Sequence, residues 1–525
     1  MARQSEAFYE PGIKSFHDHT MIEVVMPFLH WLMTCILLYL AAVVVYRLKF
    51  HHTAHIPGPF LAKVTFFYGW YYDLYLEGQY AFKIKELHKI YGPIIRIDPD
   101  TVHIDDPDYF EVIFNLKNGR QVKPQHVAEV FGPYPASIGT ASHELHRLRR
   151  SALNPFFSRK SVMDLVPTIL RPTAILCERL KQANLTGETL NLKYVFPAVT
   201  IDIINAYCFA REPTTVLEPD FGKKDTDNVA YFLKVSLLNT HIPWLMRFTY
   251  SLPDCVSKAL TPAVAKILDF RKELSHQVEA IRNGQDTAHQ TAAHWTVFHE
   301  LLNSKLPADE LRPARLRDEA FSLITAGSDT TAHVLRGTTY HISANPTIRQ
   351  RLFNELKAAI PDPDDFLSLP ELEKLPYLSA VIYEGLRLAN PVTHRLVRQF
   401  PDKAFEYQGY LLPPNTLIGM SPNLVHFNEE KFPEPQVFKP ERWIGPDAAR
   451  LQRYLISFSR GPRTCLGMAL ARAELFIILA SVFRQFEFDV KEIVRSRDID
   501  FSRDFILGAQ AVDSPGALVK VKLAG

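Results

Sequence analysis

Cysteine is scarce in this chain: five residues in 525, at positions 35, 177, 208, 255 and 465. An odd number at wide spacing excludes a disulfide framework, and the lack of any CxxC or HxxxC cluster argues against zinc. Both absences fit a reducing compartment. No two of the 22 glycines are separated by a single residue, so GxGxxG cannot occur and no dinucleotide fingerprint is present. There is no long run of one charge, and the net charge is only +2, so nothing points to nucleic acid as a partner. Internal repeats, low-complexity blocks and linkers are also missing after residue 60. One large domain over residues 60–525 is the organisation that remains.

What is present is ordinary globular content, 47% hydrophobic, with 37 prolines marking rigid turns among plentiful aromatic and branched residues. Val24 to Tyr46 carries no formally charged residue. As a helix it reaches roughly 34 Å, enough to cross a bilayer core. Glu6, Glu10, Asp18 and Glu23 precede it, and Arg47, Lys49, His51 and His52 follow. The positive-inside bias therefore makes residues 1–23 a lumenal tail, 24–46 a transmembrane anchor, and the remainder cytosolic. The sequon at Asn184 would then stay unglycosylated. Pro57 and Pro59 around Gly58 stop any helix, so 47–59 is expected to be a basic, proline-bearing hinge. Beyond it the periodicity is mainly helical, with strands expected within Pro93 to Asp105 and on both sides of the Pro413-Pro414-Asn415 turn.

The stretch FSRGPRTCLG, Phe458 to Gly467, sets one cysteine among glycines and arginines. Leu466, Leu470, Ala473, Ile477 and Ala480 recur at helical spacing after it, which places Cys465 at or just before a helix N-terminus. Free N–H groups and the helix dipole there favour thiolate over thiol. A lone thiolate suits a metal whose other ligands come from a macrocycle, that is, haem iron. Arg463 is within reach of a propionate.

At this point the stretch resembles the haem-binding signature of the cytochrome P-450 family, FxxGxRxCxG, matched at Phe458, Gly461, Arg463, Cys465 and Gly467. Three further matches follow the family order. AGSDTT, Ala326 to Thr331, lies in a helical stretch from about Arg315 to the Asn345-Pro346 stop; Ala326 and Gly327 leave room on the helix face, and Asp329 with Thr330 pairs an acid with an alcohol able to relay protons. The resemblance implies that this motif crosses the distal face of the haem. Glu384 and Arg387 of EGLR, with Arg442 of PERW, are implied to form a buried ionic triad under the haem loop, with a structural role. In HELHRLRRSALNPFFS the resemblance implies propionate contacts from His146, where the family commonly has Trp, and from Arg150. In THRLVR it implies one from Arg398, with Arg395 as the alternative.

The fold implied is mainly α with a minor β portion, preceded by the single anchor. The implied reaction is insertion of one oxygen atom from O2 into a C–H or C=C bond, with haem b as cofactor. Electrons would come from an NADPH-dependent flavoprotein reductase on the same membrane, as in microsomal members of the endoplasmic reticulum, with Arg460 among the docking candidates. The resemblance implies a pocket lined from the segments Asn118 to Ala136, Val229 to Phe248, the upper part of the distal helix, Val392 to Leu396 and Phe505 to Ala509. Phe232, Leu237, Leu238, Trp244 and Phe505 make it apolar, suited to a small lipophilic substrate. The wording of the motifs looks most like filamentous-fungal members of secondary metabolism, including the trichodiene oxygenase type, which implies a terpenoid, polyketide or alkaloid intermediate. Two competitors stand beside this: a haem-thiolate isomerase or dehydratase, against which the intact Asp329-Thr330 pair counts, and a membrane-anchored haem protein without turnover. Replacing Cys465 with Ala is expected to abolish the thiolate-type Soret band of the reduced carbon monoxide complex, measured on the purified protein.

Overall fold

Proline stops and left-handed turns cut the chain into long helices that pack around one another, with short strands collected at the periphery. The structure, a computed structural model, describes residues 16–115, 119–132, 135–253, 256–258, 262–290, 292 and 294–524, and of residues 16–25, 250 and 262–264 the backbone alone. Glu6, Glu10, Asn118 and Cys255 lie outside the described residues, and so do the side chains of Asp18 and Glu23.

The N-terminal helix α1 (Phe16–Val45) runs on through a wider turn, Tyr46–Phe50. Met26–Phe50 is mostly apolar and long enough to cross a membrane, and none of its apolar window is buried in the molecule. The segment after it is docked: Arg96 donates from its N–H to Pro57 O at 2.7 Å and from Nη1 to Arg47 O at 2.7 Å. Gly58 lies so close to this strand that a Cβ there would sit 2.5 Å from Arg96 O.

The helices that carry the site are α2 (Tyr80–Tyr91), α3 (Pro107–Phe114), α4 (His143–Leu153), α5 (Val166–Thr186), α6 (Leu192–Phe209), α7 (Lys223–His241), α8 (Pro243–Ser251), α9 (Pro262–Arg282), α10 (Pro313–Ala344), α11 (Pro346–Ala359), α12 (Pro376–Leu388) and α13 (Met468–Gln485). At 32 residues, α10 is the central rod. Pro313 opens it, where the missing N–H costs nothing, and Asn345 before Pro346 ends it. Helix α6 lies along α10, and α9, α12 and α13 complete the surround. The main apolar core sits between them, from Ile203 and Phe209 to Leu335, Leu378 and Ile478.

One sheet orders β1 (Ile94–Arg96), β2 (Thr101–Ile104), β7 (Leu417–Met420) and β4 (Leu396–Arg398), with β2 and β7 parallel and the other pairs antiparallel. A second joins β3 (Thr189–Asn191), β11 (Leu518–Leu523) and β8 (Phe486–Asp489). Two hairpins stand apart: β5 (Phe405–Tyr407) with β6 (Tyr410–Leu412), and β9 (Arg503–Phe505) with β10 (Leu507–Ala509). The strands expected around residues 93–105 and on either side of the 413–415 turn are β1, β2, β6 and β7.

The Glu384 carboxylate, fully buried on α12, fixes the loop that leads to Cys465. It accepts from Arg387 Nη2 at 2.8 Å, Arg442 Nε at 3.0 Å, Lys439 N at 3.0 Å and Trp443 Nε1 at 2.9 Å. Arg387 passes the constraint on by donating to His426 O at 2.8 Å, while His426 Nε2 accepts from Ile456 N at 3.0 Å. Removing one partner of such a network leaves buried charge uncompensated. Glu384→Ala is expected to cost about 3–5 kcal/mol, read as a lower urea midpoint, with haem content falling in parallel.

Candidate functional site

Cys465 lies in the turn before α13, whose N-cap is Gly467. Its N–H donates to Phe458 O at 2.9 Å, which closes the loop over the sulfur side. Gly461 holds φ +73°, and a Cβ there would sit 2.0 Å from Phe114 O of α3, so only glycine fits. Gly467 is different: nothing lies within 4 Å of the position its Cβ would take, so the space beside the cysteine is open. The Cys465 side chain is solvent-accessible, yet it sits deep in the molecule; the accessible face looks inward, into this open space. Burial pushes its thiol upward, and the Gly467 N–H and the Arg150 charge pull it back without offsetting that. The helix-terminus argument alone had pointed to thiolate. These groups by themselves favour thiol, and a coordinated metal cation would reverse that balance.

Helix α10 packs on α13, the helix that Cys465 precedes. Ala326 is exposed although the helix around it is buried, so it keeps the free surface expected of it. Gly327 does something else: a Cβ there would sit 3.0 Å from Ile204 Cγ1, so its small size admits α6. Thr330 Oγ1 donates to Ala326 O at 2.8 Å. Thr200 of α6 donates its hydroxyl to Ser328 O, adding an outside donor to the helix ladder. Asp329 turns away from Thr330 into a water-sized cavity lined by Pro197, Ala198, Ile201, Thr226 and Ser328. Burial pushes its carboxyl up, and the Arg336 and Lys193 charges pull it down.

His146, Arg150, Arg398 and Arg463 lie close enough to act on one another's charge, and Lys123 joins them. His146 is buried on α4 and held down to about 3 by burial, then by Arg463, Arg150, Lys123 and Arg398. Burial lowers Arg398 to about 9, with Arg463 adding to it, and burial lowers Arg463 to about 10. Lys123, which no motif singled out, drops to about 7 through burial, then through Arg398 and Arg463. An isolated bridge, Val122 paired with Gln399, sets it beside Arg398 at the end of β4. No local pattern marks that lysine; only this strand-like pairing between distant segments does. Arg463 spends donors on Thr140 O at 2.6 Å and Ala141 O at 2.9 Å, and Arg150 gives Nε to Asn154 Oδ1 at 2.7 Å. Arg398 Nε has no hydrogen-bond partner among the described residues. Arg395 lies apart, 3.8 Å from Asp73 Oδ2 and over the Tyr80 ring, so Arg398 is the member of this cluster. Arg460 is committed to Gln452 O and Arg453 O.

A second network also escaped the motifs. Glu310 bridges Arg149 at 2.8 Å and Arg315 at 2.9 Å, and Arg315 reaches Glu319 at 2.6 Å. Glu319 accepts from Ser137 Oγ at 2.9 Å, and Arg149 donates to Thr140 Oγ1 at 2.7 Å. The loop whose carbonyls receive Arg463 is thus pinned to α10.

The apolar segments expected to line a pocket do meet. Val130, Leu233, Leu237, Phe505 and Ile506 form one cluster, and Val392 bridges to Leu507 beside it. Phe232 is buried against Phe131 and Phe321, and Leu238 is half-buried. Trp244 and Phe248 on α8 are instead 67% and 56% exposed, outside the cluster.

Buried cations with no ion-paired carboxylate among the described residues, an Arg398 Nε without a hydrogen-bond partner there, and an inward-facing sulfur with open space beside it fit a metal-bearing macrocycle with acidic side arms. The comparisons agree. A family model described as Cytochrome P450 matches residues 57–512. "Cytochrome P450 monooxygenase tpcC" of Cochliobolus heterostrophus is 39% identical over 500 residues, 92% of this chain and 95% of that protein. "Tryptophan 6-hydroxylase fscE" of Fusarium equiseti is 37% identical over 91% of this chain and 93% of its own length. "N-acetyltryptophan 6-hydroxylase ivoC" of Emericella nidulans is 35% identical over 96% and 99%. Replacing Arg398 or Lys123 with Met keeps the apolar stem and removes the charge. Haem loss to an acceptor protein is expected to quicken about tenfold or more, while the unfolding midpoint of the haem-free protein holds or rises.

Proposed function

The chain belongs to the cytochrome P450 family and is an oxidoreductase of the monooxygenase kind; on that premise we propose that it inserts one oxygen atom from O2 into a small lipophilic intermediate of fungal secondary metabolism. The haem that the family implies supplies oxygen activation when bound, with thiolate ligation favouring O–O cleavage. Cys465 is the ligand in this reading, in the loop fixed by Phe458 and Gly461. Arg398, Arg463, Lys123 and Arg150, with His146 beside them, neutralise and orient the propionates. Arg398 with its unpaired Nε is the observation that carries the assignment.

The proton path is built from side chains of α10. Thr330 holds its hydroxyl proton on Ala326 O until a better acceptor arrives above the open face. Asp329 faces the water-sized cavity instead, so it takes protons from that side and passes them along the helix. The cluster of Val130, Leu233, Leu237, Phe505 and Ile506 excludes water from the bound substrate and sets its lipophilic character. Residues 60–525 act as the catalytic domain and Met26–Phe50 as its membrane anchor. The electrons arrive from an NADPH-dependent flavoprotein reductase on the same endoplasmic reticulum surface.

The test is to supply reductase and NADPH to membranes carrying the protein. Candidate terpenoid, polyketide and alkaloid intermediates, with tryptophan and N-acetyltryptophan as further probes, are then screened for products heavier by one oxygen. Thr330→Ala is expected to keep the Soret band of the carbon monoxide complex while product per NADPH falls about tenfold or more. Unchanged product per NADPH would refute the role of Thr330.

A further inference from the structure

Asp329 shares one face of α10 with two polar residues that the reading above leaves unused. His333 and Arg336 follow it at i+4 and i+7, which a period of 3.6 residues brings onto the same stripe. All three lie deep in the molecule, and His333 and Arg336 are 6% and 9% exposed. Helical side chains lean toward the N-terminus, so the long Arg336 side chain runs back over His333 toward Asp329. Arg336 Nη2 lies 3.0 Å from His333 Nδ1, and the Phe501 ring covers that imidazole at 4.7 Å between centroids. Nη2 lies 3.3 Å from Nε2 as well; a guanidinium keeps its protons here, and burial with the Arg336 charge holds the imidazole neutral, so a ring nitrogen accepts. Among the described residues no carboxylate lies within 4 Å of Arg336, and Asp329 is the one charge that acts on it.

We propose that Arg336, aimed by His333, is a positioning residue for proton delivery: its buried charge sets how readily Asp329 takes up and releases a proton. The inference rests on Asp329 as the proton carrier. A buried carboxyl left alone stays protonated and releases nothing, whereas a cation along the same face holds it closer to the ionised form. The other groups that face Asp329 are Lys193 of α6, which is tied at 2.8 Å to Asp227 of α7, and Asp225 and Thr226 across the cavity. Lys193 is therefore shared with Asp227. Arg336 has no carboxylate but Asp329 to answer. His333 is needed because without it the guanidinium would lose its hydrogen-bond acceptor and could swing off the line.

The experiment uses the purified holoenzyme, checked first for an intact Soret band of the carbon monoxide complex. Infrared pH titration of the carboxyl C=O stretch, with Asp329→Asn as the blank, reads the midpoint of Asp329 directly. Arg336→Met is expected to move that midpoint up by about one pH unit or more. Arg336→Lys, which keeps a cation, should cancel most of the shift, and His333→Phe, which keeps a ring against Phe501, should give a smaller move in the same direction. Loss of packing alone would not be rescued by lysine. An unmoved midpoint in Arg336→Met overturns the inference. The underlying reading is tested separately by peroxide released per NADPH in membranes with reductase: if Asp329→Asn leaves that ratio unchanged, Asp329 is not the carrier, whatever the titration shows.

Discussion

A single buried carboxylate, Glu384, holds the architecture of the site. Its two oxygens take up donors from Arg387, Arg442, Trp443 and the backbone of residue 439, so no lone pair is left facing an apolar core. Arg387 then reaches the carbonyls of His426 and Pro435, and Ser457 reaches Leu386 O. The cysteine loop has little regular structure of its own. It keeps its shape because its start is hydrogen-bonded into α12 and the turn at His426, and the Cys465 N–H closes back on Phe458 O. An ionic network of this kind adds little net stability over a packed apolar one, but it penalises any displaced arrangement of the loop heavily.

Against that saturated network stands a cluster built in the opposite way. Lys123, Arg150, Arg398 and Arg463 are brought together with His146, and among the described residues none of the four is ion-paired to a carboxylate, Glu319 acting on Arg150 only at a distance. Carrying such a cluster destabilises the chain taken alone, as the depressed proton affinities of all its members indicate. Departures from local satisfaction of this sort are where function is expected in a folded protein. The same logic holds for Cys465, which the polypeptide environment keeps as a thiol and a metal would convert.

Helix α10 serves both halves of the site. Its N-terminal third is pinned by the Glu310 and Glu319 network, its middle is pressed by α6 at Gly327, and Ala326 beside it stays uncovered within reach of the Thr330 hydroxyl. Acid and alcohol are adjacent in sequence and therefore about 100° apart around the axis. That is why Asp329 can face the α6–α7 side while Thr330 faces the other.

The linear pattern was enough to reveal the family, the mainly helical fold, the apolar N-terminal span, and the residue types at Cys465, Asp329, Thr330, Glu384 and Arg387. Each is a short-range signal: a motif within ten residues, a helical period, a proline stop. It also placed the strands around Pro93 to Asp105, since alternation is local too. Lys123, the Arg149–Glu310–Arg315–Glu319 network, the choice of Arg398 over Arg395, and the packing use of Gly327 could come only from the tertiary structure. In each of these the deciding contact joins segments far apart in the chain or turns on which way a side chain points, and neither quantity is written in the spacing of residues.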